Sequence, residues 1–204
     1  MKGRTERTAR FYGLLTRRVQ RARLDAVRPY LEEGGGPILD IGCGLTDLPG
    51  TVPSYTGCDR NPEVLGLNRA RFPSVPFVDW DVSASEPPES LRAAGPFATI
   101  LMLALLEHLP DPAAALRRAG SLLRGDGRLV VTTPHPAGRL PLVFGAAAGL
   151  LSRHAAKEHE ALLSRSGLER AAAAAGLRTI AYRRFLLGGN QLAVLGPGRN
   201  PASG

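Results

Sequence analysis

With 204 residues, 44% of them apolar, the chain suits one domain with a substantial core, and no run reaches the ~18 apolar residues of a membrane span. The N-terminus carries no apolar signal region, so a cytoplasmic protein is expected. The net charge of +8 is concentrated in residues 1 to 30, where Lys2 and eight arginines stand against Glu6 and Asp25, leaving the rest of the chain nearly neutral. Such a basic arm could meet nucleic acid, anionic lipid or an anionic substrate, or simply be a solvated helix face. Only Lys2 and Lys157 are lysines, a bias that genomic composition would also produce. Cys43 and Cys58 each sit at a strand end and read as small packed residues rather than as a disulfide or metal pair.

Residues 5 to 31 have helical periodicity, with Phe11, Leu15, Val19, Ala22 and Ala26 forming an apolar stripe. The run Glu33-Gly34-Gly35-Gly36-Pro37 stops that helix. Ile38 to Ile41 then reads as a buried parallel strand feeding a loop that turns at Gly42 and Gly44. A second strand, Tyr55 to Cys58, ends at Asp59, where an acid is placed to accept from ribose hydroxyls. Position 47 is aspartate, not the third glycine of a dinucleotide fingerprint, and a carboxylate there would repel a pyrophosphate. That argues against NAD and for a nucleoside ligand without phosphates. Pro49 and Pro53 predict a truncated first crossover helix. Asn61-Pro62 caps and opens a helix to about residue 72.

Further along, Phe77 to Val82 reads as a third strand and its end, and residues 83 to 96 hold one short helix at most. Phe97 to Leu105 is the fourth strand. Asp111 caps a helix that opens at Pro112 and is expected to stop at Gly125; Asp126-Gly127 turns into a fifth strand over Arg128 to Thr133. Ser166 and Glu169 are spaced as a capping box, for a helix ending at Gly176. Thr179 to Leu186 and Gln191 to Leu195 close the chain as an antiparallel hairpin.

Ile38-Leu-Asp-Ile-Gly-Cys-Gly44 resembles the first motif of the class I S-adenosylmethionine-dependent methyltransferases, and the resemblance runs in order over about residues 37 to 195. Leu106-Glu-His-Leu-Pro-Asp-Pro112 and Leu163-Ser-Arg-Ser-Gly-Leu168 are similar to the small-molecule, type 11-like branch. The resemblance implies an α/β, Rossmann-like seven-stranded sheet, mostly parallel with an antiparallel final hairpin, and helices on both faces. It implies S-adenosylmethionine as cofactor, leaving as S-adenosylhomocysteine. Asp40, Gly42, Cys43 and Gly44 would meet the methionine part, Asp40 assisting its ammonium directly or through water. Asp59 would hold the ribose hydroxyls and Arg60 would lie along the adenine. Asp81 and the Val82 amide would recognise the base, with Trp80 either stacked beside it or packed at the strand end. Leu103, near the end of the fourth strand, would line the same site. The chain departs from the pattern at Thr46, which replaces a glycine, and at Ala98, which replaces an acid.

Glu107 and His108 invite comparison with a metal-dependent quinone-pathway relative, but the further Glu three residues before its Glu-His pair is Ala104 here, so no metal is expected. His108, His135 and His159 are the candidate general bases, each with a structural alternative. The apolar stretch Leu140 to Leu151 follows the fifth strand and reads as part of an inserted roof, about 134 to 160, over an apolar substrate. The expected organisation is a basic helix and linker over 1–36, with Arg10 or Tyr12 reaching the site, a methyltransferase domain over 37–196, and a disordered tail over 197–204. The expected function is methylation of an oxygen, nitrogen or carbon on a small, largely apolar metabolite. The alternatives are an RNA methyltransferase using the basic arm and a cofactor-binding protein without turnover.

Overall fold

The computed structural model describes residues 14–136 and 163–198, and the side chains of 14–17 are not among what it describes. The first thirteen residues, most of the expected roof, His159 and all but two of the expected tail residues therefore lie outside the described residues. Helix α1 spans Leu14–Gly34 and leads into strand β1, Ile38–Ile41. A one-turn 3-10 helix, Leu48–Gly50, stands where a longer crossover helix would be, followed by β2, Tyr55–Asp59. Then come α2, Pro62–Arg71, and β3, Phe77–Asp79. Helix α3, Glu89–Ala94, precedes β4, Phe97–Leu103, and a second 3-10 turn covers Leu106–His108. Helix α4, Pro112–Gly120, β5, Leu123–Pro134, α5, Arg165–Ala174, β6, Leu177–Phe185, and β7, Asn190–Pro197, complete the order.

The seven strands make one sheet in the order β3-β2-β1-β4-β5-β7-β6. β1 to β5 are parallel, while β7 runs antiparallel between β5 and β6. Both faces are covered. On one, Ala26, Val27 and Leu31 of α1 and Leu65 of α2 pack with Ile38, Leu101, Val130 and Leu192. On the other, Leu91 of α3, Leu116 of α4 and Leu168 of α5 pack with Leu39, Ile100, Met102 and Leu129. Continuous burial along β1 and β4 is what a central parallel strand requires. The strand order reverses between β1 and β4, so their C-terminal ends open a crevice at the switch point.

Helix ends follow local chemistry in part. Asn61 accepts from the Glu63 and Val64 amides at 3.0 and 3.4 Å and so caps α2, as expected. Asn61→Ala is expected to cost about 1 kcal/mol, read as a lower denaturant midpoint with an unchanged slope. Two expectations need correction. Helix α4 stops at Gly120, not Gly125, because Leu122 and Leu123 already belong to the sheet edge: the Phe97 amide donates to the Leu122 carbonyl at 2.8 Å and Phe97 registers with Leu123. Helix α5 is capped by Ser164, whose hydroxyl accepts from the Gly167 amide at 3.2 Å, and not by Ser166. Glu169 instead pairs with Arg165 one turn back, at 2.8 Å.

Candidate active site

The glycine loop is built on its neighbours. After β1 the Gly42 and Cys43 amides both donate to the Cys58 carbonyl, at 2.8 and 3.0 Å, which turns the chain sharply over β2. Gly42 sits at φ +70, and a Cβ there would lie 2.9 Å from Leu105 Cδ1. Gly44 is also left-handed, at φ +54, but a Cβ there would meet nothing within 4 Å. The first glycine thus answers to packing and the second borders open space. The Gly44 amide donates to Asp59 Oδ2 at 2.9 Å, and its carbonyl accepts from Asn68 Nδ2 at 2.6 Å. Asp59 Oδ1 accepts from the Asn61 amide at 2.9 Å. Each Asp59 oxygen therefore fixes one backbone amide and keeps lone pairs for a ligand. Asn68, fully buried on α2, leaves its Oδ1 without a protein partner.

Thr46, in place of the expected glycine, shapes the chain locally. Its hydroxyl accepts from the Leu48 amide at 3.2 Å and so starts the short 3-10 turn. Beneath the loop Asp40 is 3% exposed and accepts from the Tyr55 hydroxyl at 2.7 Å. Burial raises its carboxyl pKa to about 7, the Tyr55 hydrogen bond pulls it down, and the charge of Asp59 adds to the rise. Burial and the neighbouring carboxylates push the Cys43 and Cys58 thiols up, so both are neutral packing groups.

At the end of β3 the Asp81 carboxylate takes the Ser83 amide at 2.9 Å and the Ser83 hydroxyl at 2.6 Å. Those hydrogen bonds, with the charge of Arg60 beside them, hold it below the usual carboxylate range. Arg60 stands 3.8 Å from Asp81, the arginine exposed and the acid half-buried. Trp80 is 4% exposed in the core cluster with Val82, Leu91 and Phe97, and its indole donates to the Ser85 carbonyl at 3.1 Å. Val82 is buried there too, its carbonyl accepting from Arg118 at 2.9 Å.

Past β4, Leu103 is half-buried and Ala104 turns the chain at φ +53. Glu107 is 1% exposed with Oε2 unpartnered, whereas His108 is exposed, so the two neighbours face apart. Among the described residues no three His, Cys, Asp or Glu side chains are grouped to hold a metal. Helix α1 adds Arg23, an arginine inside the apolar stripe. Its Nε is buried with no hydrogen-bond partner among the described residues; burial lowers its pKa and the charge of Glu107 opposes that. His135 lies across the sheet: its amide donates to the Gly189 carbonyl at 3.0 Å in the β6–β7 turn. Partial burial, then the charge of Arg184, lowers its imidazole pKa. The buried Gln191 donates to the Pro134 and Leu163 carbonyls at 3.3 and 2.6 Å, tying the chain before residue 137 to the chain after residue 162.

The structure thus brings Asp40, Gly42, Cys43, Gly44 and Asp59 into one braced unit, with Arg60 and Asp81 beside it and Leu103 at the neighbouring strand end. His108 lies in the 3-10 turn after β4, and His135 follows the last residue of β5. Tyr55, which meets Asp40, and Asn68, which meets Gly44, were not singled out by sequence reasoning, nor was Arg23 on α1. A polar residue inside an apolar stripe was the available signal for Arg23; the contacts of Tyr55 and Asn68 are long-range and left no local sign.

A family model described as "Methyltransferase domain" matches residues 9–182. Among curated proteins, the chain is 33% identical over 130 residues to a ubiquinone biosynthesis O-methyltransferase of Xanthomonas axonopodis pv. citri, covering 61% of this chain and 53% of that one. A protein of the same name from Xylella fastidiosa is 34% identical over 116 residues, 54% of this chain and 47% of that one. The chain spans about half the length of the curated relatives it matches. Among solved structures, an S-adenosylmethionine-dependent methyltransferase from Mesorhizobium loti superimposes with a TM-score of 0.65 at 19% identity, over 85% of this chain and 97% of that one. The magnesium protoporphyrin IX methyltransferase of Synechocystis, solved with bound S-adenosylhomocysteine, gives 0.67 at 15% identity, over 95% and 94%.

Proposed function

Since the chain belongs to the methyltransferase-domain family, we propose that it transfers a methyl group from S-adenosylmethionine to a small, largely apolar metabolite carrying a hydroxyl. The observation that carries this reading is the Gly42–Gly44 loop braced on Asp59 at the switch point of the sheet. The residues present fit that cofactor. The missing Cβ of Gly44 leaves open space for close approach, and Asp59 retains acceptor capacity on both oxygens. When bound, S-adenosylmethionine supplies an electrophilic methyl on a sulfonium, with its leaving group built in.

Asp59 accepts from the ribose hydroxyls, and the glycine loop lets backbone groups approach the methionine part. Asp81, held in place by Ser83, and the exposed Arg60 border the adenine end. Chemistry of this kind depends on alignment and exclusion of water, with a base needed only when the nucleophile starts protonated. A hydroxyl is such a nucleophile, and the curated relatives are named for O-methylation. His108, His135 and His159 are the candidates for that base; partial burial and the charge of Arg184 lower the pKa of His135.

The test is a product assay with methyl-labelled cofactor against hydroxylated aromatic compounds, fatty acids, lipids and total RNA. Label in a small hydroxylated acceptor is the expected result. Label in RNA alone, or turnover of none by a protein that binds the cofactor, would overturn the substrate reading.

A further inference from the structure

We propose that Tyr55 is a positioning residue of the cofactor site, its phenol fixing the Asp40 carboxylate beneath the Gly42–Gly44 loop so that a negative charge faces a cationic cofactor. This rests on the S-adenosylmethionine reading above. The arrangement comes from strand register. Ile38 is opposite Tyr55 and Asp40 opposite Gly57, so Asp40 and Tyr55 share a face one step apart along the strands. Gly57 is what leaves the diagonal open: a Cβ there would lie 2.7 Å from two Phe77 ring carbons and 3.2 Å from Cys43 Sγ. The Tyr55 ring packs beside Phe77, centroids 6.2 Å apart and tilted by 58°, and its hydroxyl meets Asp40 Oδ2 at 2.7 Å. That length fits a hydroxyl donating to a carboxylate. Tyr55 cannot itself ionise in this place, because burial and the charge of Asp40 push its pKa far up. It therefore stays a donor at every relevant pH.

The groups acting on Asp40 are few. Asp59 opposes its ionisation, the Cys43 and Cys58 thiols are neutral, and across β4 it faces Leu101. The residues that α1 and α2 send into the same cluster, Val27, Leu31 and Leu65, are apolar. Burial and Asp59 push the carboxyl toward neutrality while the Tyr55 hydrogen bond pulls it toward the anion, and the balance falls at about 7. A cation bound above the loop favours the anion. Cofactor affinity then is at its plateau above that pKa and falls as pH drops through it, by up to about tenfold per pH unit. Without the phenol the carboxyl pKa rises, and the midpoint of that fall moves to higher pH.

The experiment is titration with S-adenosylmethionine from pH 6 to 9 for wild type, Tyr55→Phe and Asp40→Asn, each first checked for cooperative thermal unfolding. The ligand's own ionisation is common to all three and cancels in the comparison. Expected are a wild-type midpoint near neutrality relative to Asp40→Asn and a higher midpoint for Tyr55→Phe. For a rise of one pKa unit, Tyr55→Phe should lose about fivefold in affinity at pH 7, approach about tenfold at lower pH, and recover toward wild type at pH 9. Equal midpoints for wild type and Tyr55→Phe overturn the proposal. If Tyr55→Phe does not fold, the wild-type and Asp40→Asn profiles decide: parallel profiles overturn it, and a fall with acid in wild type alone supports it. Absence of cofactor binding by wild type at every pH is the distinct outcome in which the cofactor reading itself fails.

Discussion

Asp59→Ala is expected to weaken S-adenosylmethionine binding by at least about a hundredfold. Two ribose hydroxyl bonds to an ionised group contribute about 1.5–3 kcal/mol each, and about 3 kcal/mol together corresponds to roughly that factor. The substitution also releases the Gly44 and Asn61 amides, which Asp59 Oδ2 and Oδ1 hold at 2.9 Å each. The loop would then keep the Asn68 contact to the Gly44 carbonyl but lose the bond that aims the Gly44 amide. Asp59→Asn should fare little better. Its amide nitrogen would have to face one of two N–H donors, so one donor is left unsatisfied whichever way the side chain is turned. Calorimetric titration reads the effect directly. A mutant that binds within about threefold of wild type would be incompatible with Asp59 as the ribose acceptor.

Phe97→Ala is the change expected to cost most in stability, about 3–5 kcal/mol. Phe97 opens β4 with no exposed surface and joins the core cluster that Leu91, Leu116 and Leu122 share. The ring also lies 3.3 Å from where a Gly95 Cβ would stand, so its neighbours are already close on that side. Truncation leaves a cavity under β4, the strand that carries the site on its far end, and the surrounding sheet can close it only in part. For a chain of this size the loss corresponds to roughly 6–20 °C in Tm. Differential scanning calorimetry is the check. A shift under about 2 °C would mean that α3, α4 and β4 do not share one core.

The parts of the site that were legible in the sequence are those whose chemistry is local. Gly42 and Gly44 sit at positive φ that a side chain resists, and Asn61-Pro62 is a cap written in two residues. Pro49 and Pro53 announced the shortened crossover, which is a 3-10 turn of three residues. Asp59 could be placed because the strand before it was short and bounded. The remainder depends on partners far along the chain. Helix α4 ends five residues before the glycine expected to stop it because pairing with Phe97 takes over the intervening residues. Ser164 and Ser166 are two residues of the same kind two positions apart, and only the structure shows that Ser164 is the one whose hydroxyl takes the Gly167 amide. Tyr55 read only as the first residue of a strand, since its meaning lies in Asp40 and Phe77, 15 and 22 positions away. Arg23 carries information that a charge count blurs: it belongs to the basic arm by composition, yet its Nε is buried and the charge of Glu107 acts on it.

The proposed nucleoside site between β1 and β4 takes a cationic sulfonium cofactor and not a dinucleotide. Calorimetric titration of the wild-type protein, at about pH 8, with S-adenosylmethionine, S-adenosylhomocysteine and NAD distinguishes the two. Saturable one-to-one binding of the first two, with no binding of NAD, is the predicted result. Failure of either adenosyl ligand to bind, or NAD binding as tightly as they do, would contradict it.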